Sequence, residues 1–104
     1  MNYYIFLVTV PNIEEGKKIA NILVENRLAA CINIIPNIFS IYRWKGNIER
    51  ENEQLLIIKT TEKNCDLLIQ KVGEIHSYSN PECIAFKIEK GSEKYLDWIN
   101  EVVD

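Results

Sequence analysis

The sequence predicts an α+β domain of the ferredoxin-like split β-α-β class, a sheet-and-helix sandwich carrying a long β-hairpin extension, in an oligomeric assembly. Three observations predict it. Segments with strand and helix periods follow in the order strand, helix, strand, hairpin, helix, strand, helix; the hairpin has too little apolar surface at its tip to fold against its own domain; and 104 residues suffice for one domain spanning 1–104.

Each element has a local reason. YYIFLVTV, residues 3 to 10, is aromatic and β-branched without clean alternation, as in a strand at a sheet centre. Pro11 stops it, Asn12 and Glu15 have the spacing of a capping box, and Gly16, Ile19, Ala20 and Leu23 share one face of a helix over 13 to 26. LAACINIIP, 28 to 36, is a short apolar strand closed by proline. IFSIYRWK, 38 to 45, and IERENEQLLIIK, 48 to 59, form a hairpin whose turn is placed at Gly46-Asn47, with glycine first as in type II′. Thr61 is the expected N-cap of a helix with Cys65, Leu68, Ile69, Val72 and Ile75 inward, ending near His76. ECIAFKI, 82 to 88, alternates as a strand, and Ser92 caps a last helix presenting Tyr95, Leu96, Ile99, Val102 and Val103.

With helices on one face, the other face of such a sheet stays open. Its strands are apolar on both sides and the hairpin carries Tyr42 and Trp44, so the exposed apolar area exceeds what a monomer tolerates and a homo-oligomer follows, its hairpins reaching neighbouring subunits.

The totals exclude several function classes. Twelve basic and fifteen acidic side chains give a formal charge of −3, which disfavours nucleic acid as a partner because that affinity rests on Lys and Arg neutralising phosphates. No apolar run approaches the roughly 20 residues of a membrane span, and the amino terminus lacks the basic and small-residue marks of a secretory signal. Three cysteines with no C-x-x-C pair make no disulfide framework, and a cytoplasmic setting is expected. Nucleophile-elbow, phosphate-loop, dinucleotide and H-E-x-x-H motifs are all missing, so no enzyme class is indicated.

The chemical candidates are few. His76, the only histidine, reads either as a ligand for a divalent metal or as a positive partner of its helix C-terminus, a contact worth about 0.3–1 kcal/mol. Cys31, Cys65 and Cys83 read as small buried hydrophobes, and a Cys31–His76 nucleophile pair would need an electropositive pocket that nothing local supplies. Tyr42, Trp44, Lys59, Tyr78 and Glu82 combine aromatics with a lone lysine and a carboxylate. They either line a cleft for a small anion or metabolite, or Tyr42 and Trp44 anchor a subunit interface.

In chain order, RLAACINIIPNIFSIYRWKGNIE, LLIIKT, HSYSNPE and YLDWI resemble the CutA family of divalent-cation tolerance proteins along essentially the whole chain. The resemblance implies a tight homotrimer of ferredoxin-like subunits that exchange hairpin strands. It implies a cytoplasmic protein linked to tolerance of copper and other divalent metals, with no firm catalytic activity; charge and hydropathy, as above, add the expectation of no nucleic-acid and no membrane partner. Copper is associated in that family with the histidine of H-x-Y-x-x-P-E, which corresponds to His76 and makes copper(II) or another divalent cation the expected ion. Val8 and Ile75 stand where some members carry a cysteine and a second histidine, and Ser77 replaces a frequent proline, so candidate ligands are fewer here. The trimer also resembles the PII signalling proteins in fold. That gives the alternative of a small-molecule sensor using an intersubunit cleft near Trp44, Lys59 and Tyr78.

Overall fold

The computed structural model describes residues 1–104. Its elements are β1 (Tyr3–Val10), α1 (Ile13–Glu25), β2 (Cys31–Trp44), β3 (Asn47–Thr61), a single 3-10 turn (Glu62–Asn64), α2 (Cys65–Ile75), β4 (Cys83–Lys87) and α3 (Glu93–Val102). All pairings are antiparallel, in the order β2-β3-β1-β4. This is the expected α+β arrangement, with β1 and β3 central and the short β4 and the long β2 at the edges.

The main core lies between one sheet face and α1 and α2. Phe6, Val8 and Val10 of β1 alternate inward with Leu56 and Ile58 of β3, against Ile19 and Leu23 of α1 and Leu68 and Val72 of α2. Gly16 allows the close approach of α1, since a Cβ there would meet Val10 Cγ2 at 3.2 Å. Ile69, expected inward, is exposed.

Not all helices share a face. Tyr4 packs on the main core, while Tyr3, its neighbour on the strand, joins Ala30, Ile99 and Val103 in a second small cluster. Successive strand residues point to opposite faces, so α3 packs on the side away from α1 and α2. It covers only the end of that face near Tyr3, and Ile84 and Phe86 remain exposed beyond it.

The hairpin differs from expectation in two ways. Trp44 pairs with Asn47, so the central turn residues are Lys45 and Gly46, both at positive φ (50° and 83°), the mark of type I′ rather than a Gly46-Asn47 type II′ turn. The primed turn matches the strand twist, and the register sets its position. Second, Pro36 does not end the strand: β2 runs through it with a bulge, Ile35 pairing with Leu55 and Ile38 with Glu53. Proline is tolerated because β2 is an edge strand, and Asn37 takes the left-handed conformation at φ 60° with its N–H donated to Gln54 Oε1 at 2.9 Å. The bulge has a consequence for the site. Before it the even-numbered Ile32 and Ile34 face the helices; after it Ile38, Ser40, Tyr42 and Trp44 lie on the opposite side, with Leu55 and Glu53.

Candidate functional site

His76 is the residue after α2, and its ring is turned away from the helix end toward β1. Nε2 lies 2.8 Å from the Thr9 carbonyl and Nδ1 lies 3.0 Å from the Tyr78 backbone nitrogen. A carbonyl only accepts and a backbone amide only donates. The ring therefore carries its hydrogen on Nε2 and a lone pair on Nδ1, and makes the hydrogen bonds of an uncharged imidazole. The reading of His76 as a positive helix partner fails on this geometry.

Glu15 closes the same corner. Asn12 caps α1 by accepting the Glu15 N–H at 2.8 Å, but the Glu15 carboxylate does not return to the cap as in a full capping box. Its Oε2 accepts the Ser77 N–H at 2.9 Å and stands 3.4 Å from His76 Nδ1, so α1, β1 and the segment after α2 are tied together. Burial alone would raise the Glu15 pKa. The Ser77 hydrogen bonds, with the Lys18 charge nearby, outweigh burial and hold it below its ordinary value of 4.5. A lowered folded-state pKa contributes stability that is present above the unfolded value and lost as pH falls through the folded one. Wild-type stability should therefore fall more steeply than that of Glu15→Gln as pH drops below about 5 in acid denaturation curves.

Within one subunit these residues are an incomplete ligand set for a metal. Both His76 nitrogens are occupied, the side chain is fully buried, and no three His, Cys, Asp or Glu side chains gather in a ligand set. An ion reaching Nδ1 would have to displace the Tyr78 amide and would find one carboxylate.

The segment after His76 forms one wall of a cleft of about 570 Å³ between the hairpin and residues 78 to 82. Tyr42, Trp44, Tyr78 and Glu82 all line it, so four of the five cleft residues named from the sequence meet there. Lys59 does not. It stands six residues from Glu53 on one strand, about 20 Å away, where it donates to Asn33 Oδ1 and lies 3.9 Å from Cys31 Sγ. The Cys31–His76 pair is likewise not formed: Cys31 has Lys59 beside it, and His76 is bonded to Thr9 and Tyr78.

Glu53 is the cleft residue that the sequence reading missed. Only 4% of its surface is exposed, and its Oε2 accepts a 2.7 Å hydrogen bond from the Tyr78 hydroxyl. Inside the charged run ERENE its charge reads as exposed, and the one signal that could have found it is its period-two alternation with Leu55. Burial first, and then the Glu53 hydrogen bond and charge, push the Tyr78 phenol well above its ordinary value of 10. A hydrogen bond to Glu51 first, with desolvation and the charges of Glu51, Glu53 and Glu49, pushes Tyr42 up to about 12. Both phenols are protonated donors over the physiological range. The Cys83 thiol, by contrast, is pushed up to about 11 by burial and by Glu82, and is no nucleophile.

Comparison with known proteins agrees with this architecture. A family described as the CutA1 divalent ion tolerance protein matches residues 4–102. A chloroplastic CutA protein of Arabidopsis thaliana is 50% identical over 92 residues, covering 88% of this chain and 50% of that protein. The divalent-cation tolerance protein CutA of Thermus thermophilus is 45% identical over 97 residues, covering 93% of this chain and 94% of its own. The chain thus spans about half the length of the chloroplastic relative. Among solved structures, CutA1 from Oryza sativa superposes with a TM-score of 0.97 at 42% identity, covering 100% of this chain and 95% of that one. The solved structure of the Thermus thermophilus protein gives 0.95 at 43% identity, covering 98% and 99%. A match across nearly the whole sequence, with the same sheet, hairpin and helices, places this chain in the CutA1 divalent ion tolerance protein family.

Proposed function

We propose that this chain serves divalent-cation tolerance as a non-catalytic homotrimer in a reducing, cytoplasmic setting, and that it touches copper(II) or another divalent ion only weakly, at His76. The observation that carries the reading is the family match over residues 4–102. Lack of catalysis is supported by a site without a nucleophile-base pair, and the reducing setting by three unpaired thiols. Assembly is supported by the half-open sheet face with Ile84 and Phe86, and by Phe39 and Ile41 of the hairpin at 66% and 63% exposure, more apolar surface than an isolated subunit of this size keeps in water. Weak metal contact follows from a two-donor corner, His76 Nδ1 and Glu15, in which an existing hydrogen bond must first open. A sensor for small anions is disfavoured, since the cleft has lost Lys59 and holds Glu53 and Glu82.

The reading is tested by titrating copper(II) at neutral pH, with sedimentation equilibrium on the same samples. Expected are a trimeric mass and a weak isotherm that weakens by at least about tenfold in His76→Ala. A tight stoichiometric site that survives this substitution, or a monomeric mass, overturns it.

A further inference from the structure

The hairpin is a two-sided ribbon whose sides differ in charge. Tyr42 and Trp44 share one side with Glu49, Glu51 and Glu53, while Phe39, Ile41 and Arg43 share the other with Ile48 and Arg50. The first side is aromatic and acidic and forms a wall of the cleft. The second is apolar and basic, with Phe39, Ile41 and Ile48 all exposed. None of the three ion pairs within the subunit includes Glu49, Glu51, Glu53, Arg43 or Arg50. Arg43 borders the cleft between Tyr42 and Trp44, but its side chain alternates away from Glu53.

The two sides complement each other, and one ribbon cannot bring its own opposite sides together. They meet only between copies of the chain. A closed ring of three has no twofold axis between neighbours, so each contact joins two different patches, one from each subunit. A hairpin with one acidic and one basic side supplies both patches, whereas joining like sides would set Glu against Glu or Arg against Arg. Arginine suits the acidic side for a further reason. Its guanidinium grips carboxylates as a fork and stacks on aromatic rings, and Glu53 stands in the cleft with Tyr42 and Trp44. Glu53, buried and bonded within its own subunit to the uncharged Tyr78 hydroxyl, then gains a charged partner. We infer that the Phe39 side of each hairpin docks on the cleft of the next subunit, with the partner subunit's Arg43 and Arg50 paired to Glu49, Glu51 and Glu53. The inference rests on the homotrimeric reading above and adds which faces meet. The cleft is then an intersubunit seam.

The test uses the full chain with Arg43→Lys and Arg50→Lys, prepared with and without nitrogen-15 and mixed by unfolding and refolding together. A water-soluble carbodiimide joins an amine to a carboxylate in contact with it. Mass spectrometry is expected to find position 43 or 50 linked to Glu49, Glu51 or Glu53 in peptide pairs of mixed isotope. Sedimentation of the same sample separates the two readings: a monomeric mass overturns the trimer and this inference with it, while a trimeric mass without mixed-isotope links overturns this inference alone. Charge reversal gives an independent measure at positions on the hairpin surface. Arg43→Glu with Arg50→Glu should weaken assembly at least about tenfold, and adding Glu49→Arg with Glu51→Arg should recover most of that loss, because the swapped sides again attract. Unchanged assembly in the first pair, or no recovery in the swap, overturns the inference.

Discussion

Phe6→Ala is expected to lower the free energy of unfolding by about 3–5 kcal/mol, the cost of removing a buried aromatic ring and leaving a cavity. Phe6 is fully buried on the central β1, paired with Ile58 on one side and Ala85 on the other, and packed beneath α1 and α2. Urea denaturation at one fixed protein concentration measures the loss, since assembly would otherwise move the midpoint. Phe39→Ala is the matched control. Phe39 is exposed on the hairpin, so its effect on the isolated subunit should stay within about 0.5 kcal/mol, and any larger effect must vary with protein concentration. A loss below about 1 kcal/mol for Phe6→Ala would contradict its place at the centre of the core.

His76→Ala is expected to cost about 2–4 kcal/mol, combining two hydrogen bonds of about 0.5–1.5 kcal/mol each with the loss of a buried ring. The ring holds Thr9 O on one side and the Tyr78 N–H on the other, and Tyr78 in turn reaches Glu53. Removing it should also release the Tyr78 amide. Hydrogen exchange at that amide, together with thermal denaturation, separates this role from that of a surface ligand. A positioning histidine gives lost protection at Tyr78 and partial rescue by Gln, whose amide can both donate and accept. A free metal ligand gives neither, and a stability change within about 0.5 kcal/mol would show that the two hydrogen bonds contribute nothing.

The separate character of these two sites explains how much could be read in advance. Periodicity places Phe6, Leu23, Leu68 and Val72 inward because the apolar pattern of a helix or strand acts within the element itself. His76 was singled out because it is unique, and its family motif carried Tyr78 and Glu82 with it. Its partners were not legible. Thr9 and Glu15 come from the other end of the chain, and the contact is made by a backbone carbonyl and a carboxylate that local spacing had assigned to a helix cap.

What the sequence determined by itself was the order of elements and the apolar faces, which depend on residues close together along the chain, and the family, which four stretches in chain order carry together. The tertiary structure alone decided which aromatics and carboxylates share a cleft. From Ile34, strict alternation would have sent Tyr42 and Trp44 to the helix side. The bulge at Pro36 and Asn37 adds one unpaired step and turns them to the side of Glu53. Lys59 stays about 20 Å away beside Cys31, because it stands six residues from Glu53 along β3. Because side chains alternate with period two, a single extra residue exchanges the two faces of everything that follows it, and only the pairing with β3 shows where that residue sits.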